Sequence, residues 1–266
     1  MKTIEAMVAN YVLGGMTVNQ AESYACQKIV LNKIAKSPLS NKVLIKGGVV
    51  MYNITHNLRR TTLDLDFDFI QYDISEDSIA RFVDLLNIYD KQYIIAIRKI
   101  DELHQEDYQG KRVFAIIKDT TSKIGFKMDI GVHTLASIKQ EEMRFSFDND
   151  DGIILSINPP EQIFAEKLYS LLKHNVLSTR FKDVFDMYYL IKEKNLTSKI
   201  VKEVINELIS NNNTIVLNKN IKQTVKSIFQ SKRYISNFDS TKEKWIDVEY
   251  LELTNTILKY LESLYI

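Results

Sequence analysis

The stretch RRTTLDLDFDFI, residues 59 to 70, sets Asp64, Asp66 and Asp68 at alternate positions between Leu65, Phe67 and Phe69. Successive side chains of a strand point to opposite faces, so the three acids share one face and the three apolar residues the other. Carboxylates gathered this closely repel one another unless water, protons or a cation intervene. Magnesium prefers one or two carboxylates completed by phosphate oxygens, so Asp64 and Asp66 suit a metal-bound nucleotide. A solvated polar face is the plain alternative, for which aspartate is a poor choice because strands are depleted in it. Asp68, at the strand's end, reads as a solvated residue or a cap.

Other residues extend this chemistry. Gly47 and Gly48 follow a strand-like KVLIK and open a helical pattern. Two glycines there let the backbone approach a ligand, and a helix N-terminus offers free N–H groups to a phosphate; Lys46 adds a positive charge. Such a pair also makes an ordinary tight turn. Asp129, in FKMDIGV, lies on the strand face opposite Phe126, Met128 and Ile130. It can act as a third acid, shared metal ligand or general base, or simply pair with a lysine across the strand. In PPEQIFAEKLYSLLK, Lys167 sits about 60° from the apolar centre formed by Phe164, Leu168 and Leu171, at the margin of a packed face. It snorkels or faces a crevice, where its ammonium could neutralise triphosphate charge. In TRFKDVFDMYYL, Arg180, Asp183 and Asp186 stand one helical turn apart, a spacing that an ion pair explains. Lys219, Lys222, Lys226 and Arg233 form a basic stripe at helical spacing that could follow a phosphate backbone but more often is the wet side of an amphipathic helix. The four histidines lack metal-ligand spacing.

The elements that must position these groups follow from pattern. The reading is an α/β (α+β) first part at 1–158 with N-terminal helices, then a helical second part at 159–266, divided at Pro159 and Pro160. Helices are expected up to about Lys36, with a Thr17/Gln20 capping box, then strand KVLIK, the glycine-led helix and the aspartate strand. A helix over about residues 75 to 90, strand YIIAIRKI, and a hairpin of RVFAIIKD and KIGFKMDIGV across TTS follow, then strand GIILSI. NNN at 211 to 213 reads as a loop. The chain has 266 residues, 45% of them hydrophobic and 26% charged, with net charge +1, so it is globular and has no bulk electrostatic case for nucleic acid. Its one cysteine, Cys26, forms no internal disulfide and reads as a small hydrophobe on a helix face. Without a signal-peptide pattern or a long apolar run, a cytoplasmic protein with no membrane span is expected.

Taken in order, LIKGGVVMYNI, RRTTLDLDFDF, FKMDIG, PPEQIFAEKLYSLL and TRFKDVFDMYYL resemble the successive motifs of the AbiEii/AbiGii toxin family, whose relatives include the MenT nucleotidyltransferases. The resemblance covers about residues 40 to 195. It implies a DNA polymerase β-like nucleotidyltransferase domain with a mixed sheet, followed by a helical domain, the active site lying between lobes. It also implies the toxin half of a toxin–antitoxin or phage abortive-infection pair, with a cognate antitoxin. Carried over by motif, Gly47 and Gly48 would contact phosphates, Thr62 would flank the nucleotide, and Asp64 and Asp66 would bind metal. Asp129 would be the third acid, Lys167 the phosphate-binding lysine and Asp183 a nearby carboxylate, with Arg180 and Asp186 as supports. The expected reaction uses Mg²⁺ or Mn²⁺ to move a nucleoside monophosphate from an NTP to a hydroxyl on RNA, at the tRNA acceptor end. The alternatives are a catalytically silent nucleotide-sensing or partner-binding protein, and a transferase that modifies a protein.

Overall fold

The computed structural model describes residues 2–105, 108–135, 138–147, 152–210 and 221–264. The chain divides into two compact units, one of Met1–Ala136 with Gln140–Asn158 and one of Ser137–Lys139 with Pro159–Ile266.

The first unit begins with α1 (Ile4–Leu13) and α2 (Val18–Lys36), and the expected capping box is present at Thr17 and Gln20. Strand β1 (Val43–Lys46) runs directly into α3 (Gly47–Thr55), followed by β2 (Leu65–Phe69) and α4 (Glu76–Tyr89). Strands β3 (Ile94–Gln105), β4 (Tyr108–Lys118), β5 (Lys123–Val132), β6 (Glu141–Phe145) and β7 (Ile153–Ile157) complete it. They form one mixed seven-stranded sheet in the order β3-β4-β5-β2-β1-β7-β6. The RVFAIIKD and KIGFKMDIGV segments pair antiparallel as expected, whereas β2 and β5 pair parallel, as do β1 and β7. Strand β6 has no counterpart in the sequence reading. Its EEMRF exposes most of its residues, and Phe145 alone is buried, so it shows no alternation.

The apolar parity of the aspartate strand is the core: Leu65, Phe67 and Phe69 are fully buried, and Phe82 of α4 packs on the last two rings at 5.8 and 4.9 Å. Each such side chain stabilises the fold by about 1.5–3 kcal/mol relative to exposure. Lys33 of α2 is buried as well. Its amine donates to the carbonyls of Leu86 and Asp90 at the C-terminal end of α4, closing orphan acceptors there.

The second unit is helical in its described part. It contains α5 (Pro160–His174), α6 (Phe181–Glu193), α7 (Ser198–Ser210), α8 (Ile221–Gln230), α9 (Lys232–Ser240) and α10 (Tyr250–Leu264). Pro160 occupies the first turn of α5, where its missing N–H leaves no bond unmade. The rings of Phe181, Phe185, Tyr234, Phe238 and Tyr250 interlock in its core. The NNN segment lies outside the described residues. Among those residues, no helix is long and apolar enough to cross a membrane.

Candidate active site

Parallel pairing of β2 with β5 puts Asp66 beside Asp129 and Leu65 beside Met128, so the two acids meet although they come from distant parts of the chain. Asp64 lies one residue before β2, at the point where that register reaches Lys127. Its position is fixed from below: the buried Gln27 of α2 donates its amide to the carbonyls of Thr62 at 2.9 Å and of Asp64 at 3.2 Å.

The glycine turn meets these residues at close range. Gly47 has φ +69°, a left-handed conformation that glycine adopts without strain, and a Cβ there would fall 2.3 Å from Asp66 Oδ2. A Cβ on Gly48 would fall 2.6 Å from Thr62 Cβ. Both glycines are therefore required by Asp66 and Thr62 themselves, whatever ligand their N–H groups also serve.

Cations already stand among the acids. Lys127 Nζ lies 3.0 Å from Asp64 Oδ1, although Asp64 Oδ1 is shielded from water and accepts no hydrogen bond among the described residues. The two thus form an ion pair without hydrogen-bond alignment. Arg112 of β4 grips Asp129 with both arms, Nε to Oδ1 at 2.8 Å and Nη2 to Oδ2 at 2.7 Å. Its hydrogen bonding to Asp129, above all, holds the guanidinium still more firmly protonated than usual. Partial burial opposes this, and the charges of Asp129, Asp64 and Asp66 add to it. The cross-strand partner of Asp129 is thus an arginine, while Lys127 serves Asp64.

One expectation changes. Asp68 is neither solvated nor a cap: it is 5% exposed and paired to Lys46 Nζ at 2.6 Å. Lys46 thus offsets the charge of Asp68 across the β1–β2 pair.

Whether these side chains fit a metal can be judged from the donors. Among the described residues, no three acid, histidine or cysteine side chains form a ready cage. Asp64 and Asp66 instead offer two carboxylates, one with a shielded oxygen that accepts no hydrogen bond, the set that Mg²⁺ takes when substrate phosphates complete its shell. Asp129, both of whose oxygens accept from Arg112, would share them between that guanidinium and the ion.

In the second unit, Lys167 is buried rather than snorkelling. Its amine lies 2.6 Å from Asp183 Oδ1 and 2.8 Å from Asp186 Oδ2, and Asp186 is fully buried. Arg180 Nε holds the other oxygen of Asp183 at 3.0 Å. This network ties α5 to α6. Of the basic stripe, Lys219 lies outside the described residues, Lys222 pairs with Glu262 at 2.6 Å, Lys226 lies in α8 and Arg233 in a separate helix, α9.

Sequence reasoning missed Gln27, Arg112 and Lys127. Extending the β4–β5 ladder from Lys118 and Lys123 leads to Arg112 opposite Asp129, a signal available from the hairpin. For Gln27, a polar residue inside a helix, no such signal existed.

A sequence model described as nucleotidyl transferase AbiEii toxin, type IV TA system, matches residues 29–248. Among solved structures, JHP933 from Helicobacter pylori superposes with a TM-score of 0.53 at 13% identity, covering 94% of this chain and 93% of that one. An H. pylori protein described as a candidate nucleotidyltransferase gives 0.52 at 13% identity, with 94% and 96% covered. At that identity the likeness is one of fold. No curated protein matches the chain. With four fifths of its length matched by that one sequence model, the chain belongs to the AbiEii family of nucleotidyl transferase toxins of type IV toxin–antitoxin systems.

Proposed function

We propose that the protein transfers a nucleoside monophosphate from an NTP to a hydroxyl of RNA, at the acceptor end of tRNA, and that this is its toxic activity, restrained by a cognate antitoxin. The observation that carries the reading is the convergence of Asp66, Asp129 and the Gly47 turn, with Asp66 Oδ2 lying where a Gly47 side chain would stand. Backbone N–H groups at the start of α3 receive the triphosphate, and Asp64 and Asp66 hold Mg²⁺ or Mn²⁺. When bound, the metal supplies charge stabilisation to the phosphates in the transition state. Asp129 accepts the proton of the attacking hydroxyl. A bond forms from that oxygen to the α-phosphorus, and the bond from the α-phosphorus to the bridging oxygen breaks, its electron pair leaving with pyrophosphate. Lys127 and Arg112 offset the mutual repulsion of the acids, and their cationic groups would share the phosphate charge on binding. Lys167 and Asp183 enter the proposal through the motifs of the family.

Each labelled NTP is incubated with Mg²⁺ and total RNA, and the ends of labelled RNA are sequenced. Label in RNA that is lost in folded Asp64→Ala protein supports the reading. Nucleotide binding without incorporation overturns it in favour of a sensor, and label on a polypeptide in favour of protein modification.

A further inference from the structure

On the side of the acid pair away from the glycine turn, the first unit has a pocket of about 410 Å³, lined in part by Leu63, Arg98, Phe114, Gly125 and Lys127. The β4–β5 register pairs Arg112 with Asp129, Phe114 with Lys127 and Ile116 with Gly125. Phe114, Ile116, Gly125 and Lys127 of its lining therefore share a face of the sheet with the acids. Lys127 belongs to both, and Leu63 immediately precedes Asp64.

Three features of this pocket suit a ligand. Leu63 is 49% exposed and Phe114 half-buried, and both line it. A Cβ on Gly125 would meet nothing within 4 Å, so no packing requires a glycine there. The ladder between β3 and β4 shifts register between Ile97 and Lys99, leaving Arg98 as an extra residue. Such bulges re-aim a side chain, and this one turns an arginine that forms no ion pair among the described residues into the pocket wall. A half-buried aromatic in the pocket wall beside an uncommitted guanidinium matches a base and its phosphate. Asn19 and Glu22 of α2 border the same space with a donor and acceptors for a base edge or ribose hydroxyls.

Topology decides which nucleotide. The glycine turn ends β1, whereas the pocket lies over β3, β4 and β5, and β2 with its acids separates the two. With donor phosphates at the turn, the pocket lies where the attacking hydroxyl must come from. We infer that it holds the 3′-terminal nucleotide of the RNA acceptor, its base against Phe114 and Leu63 and its phosphate on Arg98. This rests on the reading of Asp64 and Asp66 as the transfer site.

The test uses unfractionated tRNA labelled at its 5′ end, with the full chain as wild type, Arg98→Ala, Leu63→Ala and Phe114→Ala. Arg98 and Leu63 are exposed, so their variants keep the fold even if Phe114→Ala does not. Loss of a stacking or phosphate contact raises the KM for tRNA, and its Kd measured without NTP, about tenfold, while the KM for NTP stays unchanged. A raised KM for NTP with unchanged tRNA affinity overturns the inference and gives the pocket to the donor base; unchanged values for both overturn it outright. A wild-type protein that transfers nothing to tRNA overturns the proposed function itself, an outcome distinct from either.

Discussion

Replacing Lys167 by methionine keeps the length of the side chain and removes its charge. In the native protein that ammonium sits 2.6 Å from Asp183 and 2.8 Å from Asp186. Asp183 retains Arg180 at 3.0 Å and is reached by solvent, so its loss is small. Asp186 is fully buried, and removing the cation that faces it incurs the penalty of a broken buried pair, about 3–5 kcal/mol. For a chain of this size that lowers Tm by roughly 6–20 °C. Urea unfolding of wild type, Lys167→Met and the double variant Lys167→Met/Asp186→Asn measures it. The double variant, with both charges gone, recovers most of the loss, because removing both partners of a buried pair is close to neutral. The reasoning fails if the single variant unfolds with the wild type, or if the double variant is no more stable than the single. The double variant also separates two roles that a simple alanine substitution confuses: if it folds but transfers no nucleotide, the lysine contacts substrate; if it folds and works, the lysine is a strut between α5 and α6.

Gly47→Ala forces a methyl to within 2.3 Å of Asp66 Oδ2 at a φ that costs alanine about 1–2 kcal/mol, so Mn²⁺ binding measured by calorimetry and nucleotide transfer should both fall while circular dichroism stays native. Gln27→Ala leaves the carbonyls of Thr62 and Asp64 without its amide and should reduce stability by about 1–3 kcal/mol in urea, with a lower kcat from the loosened acid. Arg112→Gln frees Asp129 from a charged two-armed partner, so Mn²⁺ binding without nucleotide should tighten; unchanged or weaker binding would show that the arginine does not compete with the ion. In alkali, burial above all pushes the Tyr260 phenol up to about 12 from an ordinary 10.0. The folded state then holds its proton longer than the unfolded chain, so this contribution is complete below about pH 10 and is lost as pH rises towards about 12. Tyr260→Phe should flatten that part of the urea-midpoint profile.

The sequence revealed most where a residue's parity or punctuation had a single physical meaning. Leu65, Phe67 and Phe69 alternate with acids and are the buried face, and the glycine pair does sit between β1 and α3. What it hid were choices made by partners. Asp68 looks equivalent to Asp64 and Asp66, yet Lys46 on the neighbouring strand draws it into a buried pair. Lys167 looks like a marginal lysine until α6 supplies two acids from a later segment. Arg98 is unremarkable in YIIAIRKI because a bulge depends on the ladder with β4, not on local composition. Lys222 and Arg233 have helical spacing, but Ser231 separates α8 from α9, so the two belong to different helices.

Parallel pairing also sets a schedule. Asp66 acquires its neighbour only when Met128–Val132 has been synthesised, after β3 and β4, and β1 gains its second partner only with Ile157. Such non-local ladders close late because chain entropy must be spent before they form. A nascent polypeptide still on the ribosome therefore carries the glycines and the first two acids before Asp129 has joined them, and the candidate site of this toxin assembles only after nearly the whole first unit has emerged.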